Sequence, residues 1–591
     1  MTDHKDVRLN RRVFLGGGVG SAALALGGCG FSDSGASSSA DDDSASAENG
    51  GPSGSVRIVF THGAIDSLDP HYVNNAMLVV PAGLLEGLVF ANDDSTDVVP
   101  AAAESWEVSE DQTVYTFQMR QGATWSNGDP VVAGDAEWSF RRLLTPTGAG
   151  TDYTSGASSY LTGLGIAGAE DFMTGATDDW ESVGISAPDD DTLVVELEAP
   201  NADFLITMSH YSMVLVHPPS LEDGGQEWMQ PENWVGNGAF VPQVWEPTTS
   251  LQMVANESYW DYENVGVETI DMVLGMDATA SLAAFSTGEL DISVANATTI
   301  EQREELQEDV VQVDGYGMLY MTRMWGGHPA LTDARVRRAL SMAIDREAIA
   351  AVLSGQVAGT ALIPGNSVPG WDESIAIAYD VDGARDLMAE AGLDQVPDLR
   401  VQFSYEDPWL PVLADQWEDA FDTNVTIDIL EPGVYSETNS QPYDDESTMS
   451  LFGGTFAGIP TMSNWVNNIF GPDYVLTRSL AADDWLEYQE LEADEDMDGA
   501  QKAAALESFL REHADPDAIR FSDLAVEARG TIDDNERLEK FLEAARIREE
   551  MAYTIPLSWR PRTMVVADHV SGFVLRSSPE IAYYKYITVD E

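Results

Sequence analysis

The residue types that do chemistry are thinly spread in this sequence. The only cysteine is Cys29, which excludes a disulfide within the chain and a thiolate metal site. Asp494, Asp496 and Asp498, followed by Gly499, copy the alternating carboxylates that open a calcium-binding loop. The twelfth position of such a loop needs a bidentate glutamate, but here it is Ala505, and Glu507 falls two residues late. The eight histidines include no His-x-x-x-His pair, and no Gly-x-Ser-x-Gly elbow occurs, so neither a helix-borne zinc site nor that nucleophile is supported. With 101 Asp and Glu residues, carboxylate pairs are too common to mark an acid–base couple. No catalytic residue, metal site or cofactor is therefore expected.

Cys29 gains meaning from what precedes it. Lys5 and Arg8 add positive charge ahead of the Arg11-Arg12 pair, and an apolar run from Val13 to Gly28 follows, interrupted by Gly16, Gly17, Gly18 and Gly20. A spanning helix needs roughly 20 apolar residues, so this short glycine-rich run reads as a twin-arginine export signal over residues 1–29. Leu26-Gly27-Gly28-Cys29 resembles a bacterial lipobox, in which the cysteine thiol carries a diacylglycerol. Two acyl chains suffice for stable anchoring. The alternative is a plain signal peptide with an incidental cysteine. Residues 30–54, almost all Ser, Asp, Gly and Ala, read as a flexible acidic linker to an extracytoplasmic body.

The body is large enough for two or three domains. Its charge is extreme: 29 Lys+Arg against 101 Asp+Glu, a formal net of −72, with lysine only at 5, 502, 540 and 585. Such a surface repels nucleic acid. Acid spread along the whole chain points to adaptation to salt, which screens self-repulsion.

The elements that must position any site read as mixed β and α, an α/β body. Strands are expected at 56–60, at Thr113–Arg120 by its apolar–polar alternation, at Thr192–Leu197 and at Leu251–Ala255. Ala133–Leu144 reads as a helix with Trp138 and Phe140 on or near its buried side, and Asp333–Leu353 as one long helix capped by Asp333. Asp382–Ala391 reads as a shorter helix. Leu399–Tyr405 and Val425–Leu430 are strands bracketing a helix around Trp409–Phe421. Residues 481–550 are acidic and largely helical, and two apolar stretches, Thr554–Trp559 and Thr563–Ala567, return the chain to a sheet.

Several blocks, in order, resemble one family. They are Ser67-Leu68-Asp69-Pro70-His71, Leu85-Glu86-Gly87-Leu88, Ala103-Glu104-Ser105-Trp106, and Trp125 to Val131. Trp138 to Leu143, Asn237-Gly238-Ala239-Phe240, Tyr259-Trp260-Asp261, Val336 to Leu340 and Ala343 to Arg346 complete the series. Together they resemble the solute-binding proteins of oligopeptide-type ABC importers, the large class with the periplasmic-binding-protein fold. Trp228 to Gly238 is most similar to the oligopeptide-binding branch. The resemblance implies two lobes and three domains around a central cleft, with hinge closure on a ligand that is handed to a membrane permease. Domain I would comprise 55–93, 205–319 and 557–591, domain II 94–204, and domain III 320–556. The protein would act as a monomer.

The resemblance also implies site residues. Asn74, Asn75 and Ala76 would form one cleft wall, Tyr153 would pack on the ligand, and Trp559 would be a further aromatic contact. Gly454, Thr455, Phe456 and Gly458 fall where the oligopeptide branch has Gly-Trp-x-Ala-Asp-Tyr, whose aspartate holds the peptide's α-ammonium. Here Thr455 replaces the tryptophan and Gly458 the aspartate, with no local carboxylate until Asp473. A buried ammonium without a partner is costly, so either another acid reaches in or the ligand has no free amino terminus. The glycines still permit main-chain hydrogen bonds by close backbone approach. Oligopeptide is the expected ligand. An oligosaccharide stacked on some of the 15 tryptophans, a non-transporting sensor and, last, an exported hydrolase are the alternatives.

Overall fold

The structure, a computed structural model, describes residues 51–591 except 61–62, 72–78, 94, 146–160, 162, 296–309, 324, 354, 366, 444–447, 458–460, 495–496, 498, 577–581 and 591. Cys29, the arginine pair and the linker through residue 50 therefore lie outside the described residues, as do Asp496 and Asp498 of the calcium-like pattern.

The first strand, β1 (Ser55–Phe60), buries Val56, Ile58 and Phe60 in the N-terminal core. The next stretch builds a small antiparallel sheet from β2 (Ala103–Val108), β3 (Val114–Met119), β4 (Ile185–Ser186) and β5 (Thr192–Glu196), in the order β2-β3-β5-β4. β3 alternates as its sequence predicts, with Tyr115, Phe117 and Met119 buried. Between β3 and β4 lie α1 (Ala133–Leu144) and α2 (Ala169–Thr174). The bounds of α1 are those read from the sequence. The Asp135 carboxylate in its first turn accepts from the Val132 N–H at 3.1 Å and the Trp125 Nε1–H at 2.9 Å, and Arg141 and Arg142 complement the dipole at its end. Phe140 is buried, and Trp138 lies at the margin, donating to Glu222.

After α3 (Phe204–Met208), the chain forms β6 (Phe240–Glu246), β7 (Ser250–Ala255), β8 (Thr269–Leu274), β9 (Ile292–Val294) and the long β10 (Val310–Arg323). The helix expected over 333–353 is two, α4 (Ala334–Met342) and α5 (Arg346–Val352). Asp345 breaks it. Its carboxylate caps α5 through the Ala348 N–H at 3.2 Å, while the Gln416 side chain takes both its backbone groups. Then follow α6 (Val381–Glu390), β11 (Asp398–Phe403), α7 (Trp409–Phe421), β12 (Val425–Ile429) and β13 (Thr448–Ala457). After α8 (Pro472–Ser479), the acidic region 481–550 is helical as expected, in α9 (Ala482–Glu492), α10 (Gly499–His513), α11 (Pro516–Arg529) and α12 (Asp534–Met551).

The two C-terminal apolar stretches are one strand, β14 (Thr554–Val566). Its prolines fall at irregularities in the pairing with β10. Pro561 lies where the register shifts between Val313 and Gly317, and Pro556 beside the shift between Leu319 and Tyr320, so their missing N–H groups cost the ladder little. The large mixed sheet runs β12-β11-β13-β10-β14-β9-β1-β8-β7-β6, with Val357–Ala358 also pairing β14. β10 and β14 link two bodies. Val311, Val313 and Val566 pack on the N-terminal core, whereas Met318 and Trp559 enter one C-terminal core and Leu319, Met321, Ile555 and Leu557 the other.

Candidate ligand-binding site

β13 carries three of the residues expected at the ligand, Gly454, Thr455 and Phe456. On one side, Leu451 to Ala457 pair antiparallel with Arg323 to Gly317 of β10. On the other, β11 pairs in parallel only from Thr448 to Phe452. Beyond Phe452, among the described residues, no strand pairs with the outer edge of β13. Gly454, Thr455, Phe456 and Ala457 thus carry backbone groups along an open sheet edge.

Packing explains why this segment begins with glycine. A Cβ on Gly453 would lie 2.6 Å from Phe403 Cδ2 and 2.8 Å from its Cε2. Phe403 has little room to retreat, since it is 2% exposed and sits edge-on to Trp409 at 5.5 Å and to Tyr435 at 6.2 Å. The Tyr435 hydroxyl donates to the Gly453 carbonyl. That bond marks where strand pairing stops.

Among the residues expected at the ligand, Gly454, Thr455, Phe456 and Trp559 fall close together. Phe456 pairs with Met318, and Met318 with Trp559, so the three make one transverse row of the sheet. The Trp559 ring is itself core: it is 7% exposed and lies edge-on to Trp465 at 5.7 Å. Asn74, Asn75, Ala76, Tyr153 and Gly458 lie outside the described residues.

The motif at 67–71 is described, however. Arg142 at the end of α1 donates to Asp69 through two nitrogens, at 3.0 and 2.5 Å, and to His71 Nδ1 at 2.8 Å. His71 Nε2 faces the Val214 carbonyl at 3.4 Å, which assigns the ring proton to that nitrogen. Burial would raise Asp69, but the Arg142 guanidinium outweighs it and holds the carboxyl below its usual range. Burial and the same guanidinium push His71 down to about 3, so the ring is neutral.

Other motif blocks meet in similar knots. Glu86 accepts from the Tyr259 hydroxyl and from Trp260 Nε1 at 3.0 Å, and exchanges backbone hydrogen bonds with the Asn237 side chain. Lys585 closes that group on Asp261 at 3.0 Å. Arg337 is fully buried, donating to the carbonyls of Met551, Leu331 and Thr332 with its guanidinium 3.8 Å from the Tyr553 ring centroid. These motif residues hold the frame of the fold together.

Sequence reasoning missed the residues through which the two bodies touch. Asp203, at the start of α3, accepts from the Ser463 hydroxyl, and Asn467 Nδ2 donates to that Ser463 oxygen at 3.0 Å. The pair spans 260 positions, and nothing local in the sequence signals it.

Residues 97–476, more than half of the chain, match the family model of the bacterial extracellular solute-binding proteins, family 5 Middle. The chain is 33% identical over 284 residues to the dipeptide-binding protein DppE of Bacillus subtilis, covering 48% of this chain and 50% of that protein. It is 28% identical over 400 residues to the periplasmic oligopeptide-binding protein OppA of Salmonella typhimurium, covering 64% and 71%. The chain thus spans about half the length of the first of these relatives. The solved structure of the Escherichia coli murein tripeptide binding protein MppA superposes with a TM-score of 0.66 at 20% identity, over 91% of this chain and 98% of that one. At that identity the likeness speaks for the fold alone: the α/β, two-lobed periplasmic-binding-protein architecture.

Proposed function

The chain belongs to the bacterial extracellular solute-binding proteins of family 5, and from that premise we propose that it captures oligopeptides between two lobes and delivers them to the permease of an ABC importer. The observation that carries this reading is the open edge of β13 from Gly454 to Ala457. An extended peptide adds to such an edge through its own main chain, so affinity depends little on its side chains. Each backbone hydrogen bond contributes about 1 kcal/mol net, and several together make a useful affinity. An oligosaccharide has no regular alternation of N–H and C=O to match that edge.

Domain I (55–93, 205–319 and 557–591) and domain II (94–204) form one lobe, and domain III (320–556) the other. β10 and β14, which run through both bodies, are the segments that bend when the lobes close. Ligand shifts the population toward the closed form, which the permease accepts. A lipid on Cys29 holds the monomer at the outer face of the cell membrane, with residues 30–54 as tether. The protein binds and releases its ligand unchanged.

Titration of the intrinsic tryptophan fluorescence tests the reading. A mixed pool of tripeptides should give a saturable change, and a mixed pool of oligosaccharides none. Saturation by the sugars alone would overturn it.

A further inference from the structure

The contact between the two bodies has more members than its hydrogen bonds. The N-terminal body brings Asp203 and, on α2, Glu170, with Asp171 and Glu198 beside it. The C-terminal body brings Ser463 and Asn467, Asp473 on α8, Glu507 on α10 and Arg529 at the end of α11, with Arg537 on α12. α10 lies against α2. The charges of Asp203 and Asp473, from opposite bodies, both act on Arg529, and Glu170 and Glu507 act on Asp473. Tyr488 on α9 also feels Asp473. Acids thus outnumber bases where the bodies meet, in a chain of net charge −72.

We propose that Asp203, Ser463, Asp473 and Arg529 form a proton-dependent latch that holds the two lobes together, independent of the ligand's contacts. The Asp203–Ser463–Asn467 relay is its fixed part and the carboxylates around Arg529 its adjustable part. It rests on the two-lobe reading and not on the ligand's identity.

The sign follows from the surroundings. Burial raises Asp203, against the Ser463 hydroxyl, Arg529 and Arg537. Burial pushes Asp473 up to about 7, against Arg529 and with Glu170 and Glu507 adding to the rise. Burial, Glu198 and Asp171 raise Glu170. When the lobes part, water returns to these groups and they fall toward the usual carboxylate range. The joined form therefore holds more protons. Joining is fully favoured below the usual carboxylate value, and that advantage is lost as pH rises through the raised values, to about 7 for Asp473. For one such carboxyl, the joined-to-parted ratio is about ten- to a hundredfold higher near pH 5 than near pH 8.

Small-angle X-ray scattering of the full chain, at constant ionic strength and with no peptide added, tests the latch apart from any ligand. The radius of gyration of the native protein should be larger at about pH 8 than at about pH 5. The Asp203→Asn/Asp473→Asn pair should stay compact at both, and Ser463→Ala should be expanded at both. Should the double variant not fold, as judged by circular dichroism, Asp473→Asn alone should show a smaller pH response. A native radius equal at the two pH values would overturn the latch, as would variants that follow the native protein.

Discussion

Replacing Arg142 with Met probes the buried ion pair that fixes the 67–71 motif. The Arg142 side chain is 11% exposed and Asp69 2%, and they share two charge-assisted hydrogen bonds, one of 2.5 Å. Methionine keeps most of the volume and removes the charge, leaving a buried carboxylate without its partner. Breaking a buried pair in this way costs about 3–5 kcal/mol, far above the ~0–1 kcal/mol of an exposed one. Because the chain contains several hydrophobic cores, one bulk melting curve would mix their transitions. Hydrogen exchange of the amides in 64–71 and 211–217 reads the affected region directly. Opening there should become about two to four orders of magnitude more frequent. The loss should also depend on pH. In the native protein Asp69 is held low by Arg142, so its contribution is present above the ordinary carboxylate value and fades as pH falls through the lowered one. In the variant burial is opposed only by the His71 N–H, which donates to the carboxylate at 3.0 Å, so the carboxyl moves up and acid relieves the penalty. Asp69→Asn in the same background should recover part of the loss at neutral pH. A change below about 1 kcal/mol, or a loss independent of pH, would refute the reasoning.

Two further changes follow from the same physics. Gly453→Ala forces its Cβ against the confined Phe403 ring and should cost about 1–3 kcal/mol while weakening tripeptide affinity, as read by hydrogen exchange of the amides in 448–457 and fluorescence titration; an unchanged affinity would separate that position from the site. Raising salt from about 0.1 M to about 1 M shortens the screening length from ~10 to ~3 Å and should move the whole urea unfolding profile to higher urea, given the net charge of −72; superimposable profiles would remove self-repulsion as a factor in stability.

Local signals made much of the frame legible. α1 was readable to the residue because its apolar spacing, its acidic first turn and the arginines at its end agree. α7 was readable for its stripe of Trp409, Leu413, Trp417 and Phe421. The break between α4 and α5 was hidden because apolar spacing continues across Asp345, and only Gln416, 71 positions away, shows that the cap prevails. The continuity of β14 was hidden because Pro561 reads as an interruption until its place opposite a bulge is known. In the site, the glycines of β13 were visible, but the end of its partner β11 was not. Asp203, Ser463 and Arg529 are ordinary residue types brought together across the chain, with no local pattern to mark them. The motif blocks are prominent in sequence because they fill buried polar knots such as Glu86–Tyr259–Trp260 and Asp69–Arg142, so they identify the frame better than the ligand.

Native mass spectrometry of the full-length protein, purified without denaturation, tests the central claim most directly. A ladder of retained masses that fragment into peptide series of mixed sequence is the predicted result, since the proposed contacts are to the main chain. Retained masses spaced by hexose units, with no peptide among them, would contradict it.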